Sequence, residues 1–102
     1  MNKRRVVITG LGCVTALAES AEGLFKALCE GRSGIGTIEN FDTSAYPVHI
    51  GGEVKNFDPT KYIDAREAKR LDRFAQFSMA CSVQAVKDSG LDFAKEDVWH
   101  TW

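Results

Sequence analysis

The chain has 102 residues, room for one modest domain. Apolar residues make up 44 % and charged residues 26 %, the composition of a globular chain and not of a disordered tail. A net charge of −1 supplies no global field that draws the chain to nucleic acid or to an anionic membrane, and no apolar stretch reaches the roughly 18 residues of a membrane-spanning helix.

The N-terminal stretch from Arg4 to Leu17 reads RRVVITGLGCVTAL. It has two readings. Lys3, Arg4 and Arg5 before an apolar run, with Ala16-Leu17-Ala18 at small-x-small spacing, fit a secretory leader. Val6-Val7-Ile8-Thr9 is β-branched throughout, which favours a strand over the helix of a leader, and Gly10 and Gly12 then make a tight loop. A strand apolar on both faces belongs in a sheet interior. Gly10-x-Gly12 after a strand also suggests a dinucleotide fingerprint. Position 15 is Thr where the third glycine is needed, and no second strand with an acidic end follows, so a turn is the better reading.

A helix is expected over residues 20–30, with Ser20 as N-cap, Glu22 in the first turn and Gly31 as the stop. Arg32 to Asn40 reads as glycine-rich loop. Val48-His49-Ile50 and Glu53-Val54-Lys55 flank Gly51-Gly52, which predicts a small hairpin or a kinked edge strand. Asp58-Pro59 predicts a helix start. One long helix is expected over residues 65–89, capped by Asp64 with Glu67 three residues on and ended by Gly90. Its first half is basic: residues 61–73 hold Lys61, Arg66, Lys69, Arg70 and Arg73 against three carboxylates. Its second half, from Phe74 to Val86, is apolar nearly all round and should be deeply buried.

An interior strand and an all-round apolar helix need more partners than one hairpin and Val98 to Trp102 supply. The pattern therefore reads as the opening segment of a larger domain.

Candidate chemistry is sparse. Three cysteines, at 13, 29 and 81, match no zinc spacing and read as small buried hydrophobes in a reducing compartment. His49 and His100 have no partner at metal or triad spacing and read as turn or surface residues. The basic half-helix stands out: a solvated, salt-bridged face is one reading, and a docking patch for an anionic partner is the other. The absence of interleaved aromatics speaks against nucleic acid.

Taken in series, RRVVITGLGCVT, GRSGIGTIENFD, GGEVKNFDPTKYI and KRLDRFAQFSMACSVQAVKDSGLD resemble the N-terminal part of the β-ketoacyl-acyl-carrier-protein synthases, type II condensing enzymes of fatty acid synthesis. The resemblance runs from Arg4 to about Asp97 and implies an α/β, thiolase-like fold of αβαβα layers, of which residues 1–102 form only the N-terminal part of the first half, without an internal domain boundary. It implies an acyltransferase that performs a decarboxylating Claisen condensation of an acyl-enzyme with malonyl-carrier protein, needs no cofactor or metal, works as a homodimer and resides in the cytoplasm. The family's catalytic cysteine and histidine pair match none of Cys13, Cys29, Cys81, His49 or His100, so this chain alone should be inactive. What carries over is a carrier-protein-binding role for Arg66, Lys69 and Arg70. Ala18 departs from the usual glycine, and His100-Thr101-Trp102 departs from an expected strand. Polyketide ketosynthases and chain-length factors share the pattern. A stand-alone binding module for an acidic partner is the reading from another class, and a nucleotide-binding enzyme fragment is disfavoured by Thr15.

Overall fold

The computed structural model describes residues 3–100. In chain order they form helix α1 (Ala21–Cys29), strands β1 (Ile35–Thr37) and β2 (Ile50–Gly52), a 3-10 turn at Pro59–Lys61, a short helix α2 (Ala65–Ala68), a long helix α3 (Arg73–Ser89) and a second 3-10 turn at Val98–His100.

The capping signals of α1 act as expected. The Ser20 hydroxyl accepts from Gly23 N–H at 3.0 Å, and Gly31, at φ +69°, turns the chain out of the helix. Asp58 likewise receives Thr60 N–H, although the element that follows is one 3-10 turn.

Several expectations are corrected. Val6 to Thr9 joins no ladder, and Val6 and Ile8 are 94 % and 83 % exposed. β-branched residues favour extended backbone, yet a strand needs a neighbour to bond its amides and carbonyls, and among the described residues none lies alongside. Of the two readings about Gly51-Gly52, the local hairpin is absent and an edge strand forms. Ile50–Gly52 pairs antiparallel with Ile35–Thr37, inside the supposed loop, in the register Ile35↔Gly52, Gly36↔Gly51 and Thr37↔Ile50. Ile38 N–H to His49 C=O extends the pairing at 2.9 Å. The glycines at three of these six positions hid the strands from a propensity reading.

The long helix is broken. α2 ends at Ala68 and tightens through Arg70 N–H to Glu67 C=O and Leu71 N–H to Ala68 C=O. Asp72, extended at ψ 161°, starts α3 afresh. Gln76 spans the break: its Nε2 donates to the carbonyls of Ala68 (2.8 Å) and Leu71 (3.4 Å), groups that a continuous helix would satisfy internally. Finally, the apolar half of α3 buries only Ala80 completely, while Met79, Val83 and Val86 keep more than a third of their surface. The cysteines are less buried than expected as well: Cys29 is exposed, and Cys13 and Cys81 are half-buried.

The core is thin. Ala27, Ile63, Ala68 and Ala80 are the buried apolar residues among those described. Beside them Phe57 packs edge-on to Phe77 at 4.9 Å between centroids and stacks on Tyr62 at 6.3 Å. Val98 to His100 form a turn and not a strand, and Thr101 and Trp102 lie outside the described residues.

Candidate carrier-docking surface

The segment 10–13 lies directly on α3. A Cβ on Gly10 would overlap the Ala85 carbonyl oxygen, and one on Gly12 would overlap that of Cys81. Asp88 Oδ2 receives Leu11 N–H and Gln84 Oε1 receives Cys13 N–H, both at 3.0 Å. The same Gln84 amide donates to Glu19 C=O at 2.6 Å and to the Tyr62 hydroxyl at 3.1 Å. The Gly-x-Gly pattern thus serves close approach of backbone to helix, and the turn reading is refined accordingly. Thr15 closes the next turn through its own Oγ1, which accepts from Leu17 and Ala18 N–H. It holds nothing open for a phosphate.

None of the cysteines is set up as a nucleophile. Burial, and secondarily Cys81 nearby, pushes the Cys13 thiol up, the opposite of activation. Cys29 ends α1 and is exposed, with no base or cation paired to it among the described residues. His49 Nδ1 sits 3.0 Å from the Thr43 hydroxyl, and the exposed His100 sits 2.6 Å from Asp97 Oδ2. Among the described residues no cluster of His, Cys, Asp or Glu could hold a metal ion.

The basic residues divide into two groups. Arg73 is committed to the fold. Its guanidinium donates to Val54 C=O at 2.6 Å and lies 5.2 Å from the centre of the Phe77 ring. Sequence spacing had grouped it with the others; the break at Asp72 turns it to a different side. Arg66, Lys69 and Arg70 are exposed and, among the described residues, none forms an ion pair within 4.0 Å. They fall within α2 and the turn after it, about 6 Å of helical rise. Asp64, the obvious local counter-charge, is occupied at the N-cap by Arg66 N–H. Three unpaired cations on a cross-braced corner favour an anionic partner over a salt-bridged, solvated face.

Beside this corner the first turns of α3 and Leu71 shape an apolar groove, missed by the sequence reading, with Phe74, Ala75 and Met79 as its floor and Arg70 and Glu67 on its rim. Phe74 is 74 % exposed.

Residues 3–101 match the beta-ketoacyl synthase N-terminal domain. The chain belongs to the beta-ketoacyl synthase family. It is 46 % identical over 91 residues to a 3-oxoacyl-[acyl-carrier-protein] synthase 2 of Synechocystis, covering 89 % of this chain and 22 % of that protein. It is 42 % identical over 97 residues to the synthase 2 of Vibrio harveyi, covering 95 % and 23 %. Among solved structures, the ishigamide ketosynthase/chain length factor superposes with a TM-score of 0.82 at 33 % identity, over 89 % of this chain and 23 % of that one. This beta-ketoacyl synthase chain therefore spans under a quarter of the length of the relatives it matches. Among its described residues no helix is long and apolar enough to cross a membrane.

Proposed function

We propose that residues 1–102 act as the N-terminal portion of a single β-ketoacyl-acyl-carrier-protein synthase domain, thiolase-like with αβαβα layers and homodimeric, and that Arg66, Lys69 and Arg70 dock the acyl carrier protein. The whole enzyme extends an acyl chain held on a cysteine by decarboxylating malonyl-carrier protein in the cytoplasm, with the covalent and oxyanion-stabilising groups supplied by residues other than those of this chain. The observation that carries the docking role is the trio of exposed, unpaired cations at the α2–α3 corner. Guanidinium and ammonium groups there meet carboxylates without first breaking an internal ion pair. The relatives named 3-oxoacyl-[acyl-carrier-protein] synthase 2, at 46 % and 42 % identity, are more similar in sequence than the ketosynthase/chain length factor at 33 %, which supports the synthase reading.

Titrating isotope-labelled acyl carrier protein with this chain tests the role. The wild-type chain should shift carrier amides in a salt-sensitive manner, and R66E/K69E/R70E should abolish the shifts. Equal shifts from both chains at low salt would remove these residues from the interface. Release of carbon dioxide from malonyl-carrier protein by this chain alone would refute the assignment of catalysis to other residues.

A further inference from the structure

We draw no further inference here: the strongest candidate, the polar cleft that Lys61, Tyr62, Gln84 and Lys87 form at the N-terminus of α1, is walled by Glu19, Glu22 and Asp88 as well and rests on a helix N-terminus with no second observation that points to a ligand.

Discussion

Replacing Gly12 by alanine puts a methyl group against the Cys81 carbonyl oxygen in the middle of α3, where backbone cannot yield as a flexible side-chain tip can. The segment must lift, stretching the Cys13 N–H to Gln84 bond. We expect Gly12→Ala to destabilise by about 1–3 kcal/mol in denaturant titration, whereas Gly36→Ala, with open space about its Cβ, should be far milder. Glu53 offers a second residue-scale test. Its carboxylate receives the amides of Glu39 and Asn40, chiefly Glu39, and this holds its pKa below the ordinary 4.5. A depressed folded-state pKa gives stabilisation that is complete above about 4.5 and is lost as pH falls through the lower folded value. Hydrogen exchange at Glu39 and Asn40, corrected for intrinsic pH dependence, should therefore accelerate below that pH in the wild type, and be fast at all pH values in Glu53→Ala.

At the scale of elements, the break between α2 and α3 is held by one side chain. Gln76→Met keeps length and apolar volume but removes the side-chain donor from the Leu71 carbonyl and leaves the Ala68 carbonyl only the Leu71 N–H. The expected loss is about 1 kcal/mol, with faster exchange of the Lys69 to Leu71 amides and little change in α3 beyond Phe77. The break shows why elements were only partly legible in the sequence. Ser20, Asp58 and Gly90 work through their own backbone neighbourhood, so their capping signals could be read directly. Asp72 is just as much an N-terminal signal, but it sits in a run whose apolar and basic spacing is helical on both sides. The bonds that brace the break, from Gln76 Nε2 to the Ala68 and Leu71 carbonyls, leave no mark in the hydrophobic spacing. β1 and β2 fail for a related reason: three residues each, half of them glycine, they are strands because they face one another. The three exposed cations Arg66, Lys69 and Arg70 were legible as a cluster through their spacing. That Arg73 is not one of them was not legible, since its partner Val54 lies 19 residues away.

At the scale of the molecule, the described residues leave much apolar surface uncovered. Val6, Val7, Ile8, Phe25, Leu28, Phe74, Val98 and Trp99 are all exposed, and no large side chain is completely buried. The radius of gyration is 17.7 Å, against about 13 Å for a compact domain of this length. With four buried apolar residues, three of them alanine, hydrophobic burial barely offsets the entropy of ordering the backbone. Val6 to Thr9, unpaired and apolar, add backbone with which another chain can pair. The chain alone should thus bind an apolar dye strongly, melt over a broad range and sediment as a concentration-dependent mixture. Changing Val7 to lysine places a charge in that segment and should shift the mixture towards monomer without sharpening the melt, because the thin core is untouched. A sharp melt of a dye-silent monomer would mean that the uncovered faces close on one another, and the proposal that they meet further parts of a synthase domain would have to be abandoned.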